Sequence, residues 1–354
     1  VNVALSLAER AVFMEKGQVR FEGPTRDLLE RPDILRSVFL QGAGAVQGDE
    51  GAADAGGSDA NSSIPARVSI AEVARPIGFG GETATRRGPV LECRGLVKRF
   101  GGITAVDSVD LAITPATVVG LVGQNGAGKT TILDCLSGFH QIDGGHVVLR
   151  GVEVTSWAPY ERARGGMGRS FQEARLYPSL SVEETISVAC ERHVASRSML
   201  ADATRQPASY EAELTTRRRV AELVELLGLG DHREKSISEL STGTRRIVEL
   251  GCLLAAEPHV LLLDEPSAGV AQRETEALGP LLLQIRDHTG AALVIIEHDM
   301  PLLSSICDEM VALELGGVIA SGTPQEVLAD DKVIASYLGT DSAAIHRSGA
   351  GSLG

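Results

Sequence analysis

Aromatic residues are scarce in this chain: one Trp, four Tyr and seven Phe, together 3% of 354 residues. Cysteine is scarce too, and the five present (Cys93, Cys135, Cys190, Cys252, Cys307) form no CxxC pair and no metal-ligand spacing. Most sit inside apolar runs and read as reduced core residues of a cytosolic protein. Basic residues are outnumbered, 33 Lys and Arg against 47 Asp and Glu, giving a net charge of −14. That argues against the concentrated positive surface with which proteins displace phosphate counterions from nucleic acid. No apolar stretch approaches the roughly 18 residues of a membrane span. The N-terminus lacks the charge-then-apolar pattern of a signal peptide. A soluble protein without direct membrane insertion is expected, and any membrane role must come through a partner.

What is present is an α/β pattern. Residues 89–340 alternate apolar strands with amphipathic helices, the order expected of a mostly parallel sheet. Residues 41–88 are dominated by Gly, Ala, Ser and Asp and read as a flexible linker; residues 341–354 have the same character and read as a disordered tail.

The chain also resembles itself. A shift of 299 positions lays "AVFMEKGQVRFEG" (11–23) on "MVALELGGVIASG" (310–322), with identities at Ser6, Val12, Glu15, Gly17, Val19, Gly23 and Leu29. Both copies read as a helix, a hairpin turning at a glycine, and a helix; in the second, Thr323, Pro324 and Glu326 stand at cap, first-turn and capping-box positions. Residues 1–40 therefore read as the C-terminal remnant of an upstream copy of the same domain; the alternative is a short helical extension.

"VVGLVGQNGAGKTTILDCLSG" places an apolar strand before, and a helix after, a Gly-x4-Gly-Lys-Thr loop. Gly123, Gly126 and Gly128 let the backbone turn tightly and aim its N–H groups at phosphate oxygens, with the helix N-terminus behind them. Lys129 can reach β- and γ-phosphates, and the Thr130 hydroxyl can complete a Mg²⁺ shell. Kinases, motors, transport ATPases and translation factors all use such loops. "HVLLLDEP" (259–266) is an apolar central strand ending in two acids: Asp264 suited to hold Mg²⁺ through water, Glu265 suited to polarise an attacking water. "ALVIIEHDM" (292–300) repeats the design and ends near His298, which can contact a γ-phosphate.

The stretch "ISELSTGTRRIVELGCLLAAEPHVLLLDEP" (237–266) resembles the signature of ATP-binding cassette (ABC) ATPases, a Leu-Ser-x-Gly turn opening a helix that runs into the Asp-Glu strand. The resemblance spans 89–340, with motifs in the family's order: phosphate loop, Gln loop ("GRSFQEARLYPSLSVEE"), signature, Asp-Glu strand and switch His. It implies a P-loop NTPase fold of the α/β class, with a RecA-like core, an antiparallel β subdomain and a helical subdomain at about 173–240. It implies an ATPase using ATP and Mg²⁺, with Glu265, His298 and Lys129 catalytic. Nucleotide contacts are implied for Phe100 (stacking on adenine; otherwise an edge-strand core residue), Gly123, Asn125, Gly126, Gly128, Lys129, Thr130, Thr131, Gln172 and Asp264. Thr130, Gln172 and Asp264 are the implied metal residues, and Ser241 and Gly243 would face an ATP on an opposing cassette.

Two departures stand out. The signature reads Leu240-Ser241-Thr242-Gly243-Thr244 where the family usually has Leu-Ser-Gly-Gly-Gln, and Ala271 replaces a common Asp after "DEPSAG". Within the family, "FGGITAVDSVDLAI" and "GTPQEVLADDKVIASYLG" are most similar to importers of branched-chain amino acids, and the first repeat copy resembles the end of their companion ATPase. The resemblance implies a subunit at the inner face of the cell membrane, paired with a second cassette and docked through its helical subdomain on permease subunits. The alternative, a soluble ABC ATPase of translation or DNA maintenance, fits less well: one phosphate loop, an acidic linker, and too little chain between Gln172 and Leu240 for a coiled coil.

Overall fold

The structure, a computed structural model, describes residues 10–15, 18–24, 88–171, 176–191, 207–270 and 272–338. The expected linker (apart from Gly88), the tail and Gln172 lie outside the described residues.

Two sheets organise residues 88–338. The larger has six strands in the order β12-β11-β5-β10-β9-β8: Gly317–Gly322, Glu309–Glu314, Val118–Gly123, Ala292–Ile296, Val260–Asp264 and Met167–Arg169. All its pairs are parallel except the antiparallel edge hairpin β11–β12. The smaller sheet is antiparallel, in the order β4-β3-β6-β7: Ile103–Ile113, Leu91–Phe100, Gly144–Leu149 and Val152–Glu153.

Strand period decides what each face of the large sheet touches. Side chains alternate across a strand, so Val118, Val122, Leu261, Leu263, Leu293 and Ile295 enter one core, while Val119, Leu121, Leu262, Val294 and Ile296 enter another. The first core lies under the helices α3 (Val182–Cys190), α4 (Pro207–Leu226), α5 (Thr242–Ala255) and α6 (Gln272–Thr289). The second lies under the small sheet and helix α1 (Lys129–Ser137). Both faces being covered explains the unbroken apolar runs of β5, β9 and β10. Each such buried Leu or Ile stabilises by about 1.5–3 kcal/mol relative to exposure. The short helix α2 (Pro159–Arg164) is anchored by buried Arg162, which donates to the Cys135 and Leu136 carbonyls at the end of α1.

Helices α3, α4 and α5 pack on one another. The amphipathic face of α5 buries Val248 and Leu254 fully in the helix-side core. After β10 come helix α7 (Met300–Ile306), the β11–β12 hairpin, then α8 (Pro324–Ala329) and α9 (Asp331–Leu338). Thr323 caps α8, Pro324 opens it and Glu326 closes a capping box, as expected.

The N-terminal repeat has a structural counterpart. Strands β1 (Arg10–Glu15) and β2 (Gln18–Pro24) form an antiparallel hairpin. Its pairs Ala11↔Gly23, Val12↔Glu22, Phe13↔Phe21, Met14↔Val19 and Glu15↔Gln18 match Met310↔Gly322 through Glu314↔Gly317 residue for residue, and the register slips at the same step in both. The helices expected on either side of β1–β2 lie outside the described residues.

Candidate functional site

The carboxyl ends of β5, β9 and β10 meet beside the N-terminus of α1, where ligands of open α/β sheets gather. The phosphate loop takes a path that requires its glycines. Gly123, Gly126 and Gly128 have φ of 149°, 85° and 98°, and a Cβ on Gly128 would stand 2.3 Å from the Ala105 carbonyl oxygen. Gly128 caps α1 with no side-chain hydrogen bond, and the first turn carries no acid. The helix therefore presents free N–H groups and an unneutralised positive end, a ready anion site. Asn125, Gly126 and Thr130 line the solvent-open mouth, and Thr131 is half-buried behind them.

Lys129 is buried, and its Nζ donates to the carbonyls of Gly123 (2.7 Å) and Gln124 (3.0 Å). Burial pulls its pKa down, while Glu265 and Asp264 push it back up. Asp264 ends β9 almost fully buried, and burial raises its carboxyl pKa; Arg169 opposes that rise, Glu265 and Asp134 add to it, and the Thr130 hydroxyl works against it. One carboxylate oxygen of Asp264, Oδ1, is buried without a hydrogen-bond partner among the described residues. A buried orphan oxygen beside a threonine hydroxyl fits an oxygen-ligated divalent cation such as Mg²⁺. The Thr130–Asp264 pairing is thus a sound donor set; Gln172, the third expected metal residue, lies outside the described residues.

Glu265 leaves the strand with φ of 48°, a left-handed conformation unusual for a side chain with a Cβ. Its N–H still donates to the Ile296 carbonyl, so the strand ladder holds the turn in place. Glu265 Oε1 lies 3.1 Å from His298 Nε2, so the predicted water-polarising acid and the predicted switch His are brought together. Phe100 stands at the β3–β4 turn, 44% exposed, edge-on to His140 with Lys98 near its ring. It is not an edge-strand core residue, and its open face suits stacking on a base.

Ser241 is the N-cap of α5: its Oγ accepts from the Thr244 N–H at 3.1 Å and also pairs with the Thr244 hydroxyl. The Thr that replaces the family's Gln therefore turns inward to brace the serine. Ser241 is exposed and Gly243 is buried.

Three residues unremarked in the sequence belong to this site. Arg169 Nη2 bridges Asp134 (2.9 Å) and Asp264 (3.5 Å) from a nearly buried position. The Ser170 hydroxyl accepts from the Asp264 N–H. Buried Glu297 accepts from the backbone of Ser267 (2.7 Å) and His298 (3.1 Å), tying together the loops that follow β9 and β10. A charge placed at the end of an apolar strand was the available signal for Glu297; Arg169, ending the three-residue strand Met-Gly-Arg, offered none. Arg169→Met removes the cation shared by two carboxylates. It is expected to lower unfolding free energy by about 3 kcal/mol, the low end for breaking a buried pair, because Asp134 is partly exposed. Chemical denaturation of both proteins measures this, and an unchanged midpoint at unchanged m counts against it.

Comparison with known proteins adds to this geometry. Residues 106–268 match the family model described as ABC transporter, and residues 318–343 match the one described as branched-chain amino acid ATP-binding cassette transporter. The high-affinity branched-chain amino acid transport ATP-binding protein BraF of Pseudomonas aeruginosa is 37% identical over 251 residues, covering 71% of this chain and 98% of that protein. LivG of Escherichia coli strain K12, of the same description, is 35% identical with the same coverage. Among solved structures, a nucleotide-free ATP-binding cassette from an ABC transporter is 26% identical with a TM-score of 0.60, covering 71% of this chain and 99% of that one. The ADP conformation of such a cassette is 26% identical with a TM-score of 0.59, covering 71% and 98%. The fold is that of a P-loop NTPase, and the chain belongs to the ABC transporter family as one of its ATP-binding ATPase subunits.

Proposed function

We propose that this subunit binds ATP with Mg²⁺ in the cleft between the phosphate loop and Asp264–Glu265, and that it energises import of branched-chain amino acids. The observation that carries the reading is the convergence of an uncapped α1 N-terminus, an orphan Asp264 oxygen and the Glu265–His298 contact. Phe100 stacks on the adenine. The backbone of Gly123 to Gly128, with Asn125 and Thr131, surrounds the phosphates, and Lys129 exchanges its two carbonyl partners for phosphate oxygens. Thr130, Asp264 and Gln172 hold the cation, which when bound neutralises charge building on the phosphoryl oxygens. Glu265 takes the proton of the attacking water while His298 fixes its orientation.

A second cassette completes the site, with exposed Ser241 and the N-terminal end of α5 facing the nucleotide held across the interface. The matched register of β1–β2 and β11–β12 supports reading residues 1–40 as the remnant of such a cassette, joined by the 41–88 segment. No helix among the described residues is long and apolar enough to cross a membrane. The similarity to transport ATP-binding proteins supports a subunit that works peripherally at the inner face, with permease subunits docking on the helical subdomain.

The substrate is tested by uptake. Cells of the source organism carrying Glu265→Gln in this chain should lose uptake of radiolabelled leucine, isoleucine and valine but keep uptake of an unrelated sugar. Undiminished uptake of all three amino acids overturns the substrate assignment.

A further inference from the structure

The C-terminal helices α8 and α9 fall within the 318–343 segment, and the ATPase chemistry above uses none of their residues. Yet α9 is packed against β5, the strand that delivers the phosphate loop. Its Val333 and Ser336 are buried, and Tyr337 joins the helix-side core.

One polar contact crosses from α9 to the start of the loop. The Gln124 side-chain amide donates to the Ser336 carbonyl. That carbonyl lies in the last turn of α9, where carbonyls have no partner along their own helix. Beside it, Tyr337 packs its ring into the helix-side core, and burial pushes its phenol pKa up. Gly123 and Gln124 are also the residues whose carbonyls hold Lys129 Nζ. On its other side Gly123 has no room to move, since a Cβ there would stand 2.3 Å from the Leu313 carbonyl oxygen. The entry to the phosphate loop is thus held between β11 and α9, one covalent step from the groups that station the lysine.

We propose that α9 braces the nucleotide site: the Ser336 carbonyl holds Gln124, and with it the neighbouring Gly123, in the phosphate-gripping conformation and thereby sets ATP affinity. This rests on the phosphate-loop reading. Gln124 is a positioning residue acting through the loop backbone and Lys129. A helix that only covered the sheet edge would need apolar side chains; it would not need a carbonyl bonded to a loop side-chain amide.

The experiment uses the full 354-residue chain and a fluorescent ATP analogue with Mg²⁺. Gln124→Ala removes the amide from an exposed residue. It should weaken nucleotide binding about three- to tenfold, the worth of one lost hydrogen bond. Backbone hydrogen exchange of the peptide holding residues 123–128 should accelerate in the nucleotide-free variant. Unchanged affinity with unchanged loop exchange overturns the brace, as does a melting-temperature drop with affinity intact. Lys129→Ala is the control. If wild type binds and Lys129→Ala does not, the loop reading stands whatever the brace variant does; if wild type fails to bind, the loop reading itself falls.

Discussion

Glu265→Gln should bind ATP with near wild-type affinity, lose hydrolysis by about 10²- to 10⁴-fold, and accumulate as a closed pair of cassettes. The geometry separates these effects. Glu265 reaches its position through a backbone turn pinned by the Ile296 carbonyl, and glutamine can occupy the same turn. Glutamine can also keep a hydrogen bond to His298, now 3.1 Å from the carboxylate. It cannot accept a proton from water, so the step that depends on basicity stops while phosphate contacts from the loop and α1 remain. With the γ-phosphate uncleaved, the contacts it makes across the interface persist. Light scattering with and without Mg²⁺ and ATP should show a particle of 37.2 kDa doubling in mass only when nucleotide is added. A monomer that still binds ATP would identify a different cassette as the natural partner. Normal turnover would remove Glu265 from the role of base.

Lys129→Ala should weaken ATP binding by about 10²-fold or more, roughly 2.7 kcal/mol of binding free energy. The lysine is buried at the N-terminal end of α1, where burial already disfavours its charge. A desolvated ammonium gains much from meeting phosphate oxygens, because it needs to shed little water to do so. Alanine also leaves the Gly123 and Gln124 carbonyls without their donor. The free protein should therefore lose about 1–3 kcal/mol of stability as well. Calorimetric titration and thermal melting on the same preparation distinguish the two losses. Retained affinity would contradict the assignment of the loop to phosphate.

Local signals carried much of the site into view. The Gly-x4-Gly-Lys-Thr spacing can be met by few backbone paths, since the positive φ at Gly123, Gly126 and Gly128 excludes most residues. Strands β9 and β10 were visible as unbroken apolar runs because both faces are covered. The cap, first-turn proline and capping box of α8 could be read from Thr323, Pro324 and Glu326, since capping acts over one helical turn. The 299-residue repeat was legible as spacing, although matched strand registers and a matched slip are stronger grounds for it than seven identities.

Contacts made between distant segments could not be seen that way. Arg169 lies far along the chain from Asp264, and only the parallel pairing of β8 with β9 brings the guanidinium between Asp134 and Asp264. Glu297 looked like one more acid after an apolar strand until β10, placed between β5 and β9, set it against the Ser267 backbone. Thr244 stood out as a departure from the family's signature, and only the folded helix shows it bonded to its own N-cap serine. The contact of Gln124 with the Ser336 carbonyl spans 212 residues. Motif chemistry depends on a few neighbouring dihedrals and so is written into short stretches of chain. The choice of partner for a buried charge or hydroxyl depends on sheet order and helix docking, which the whole packed core decides at once.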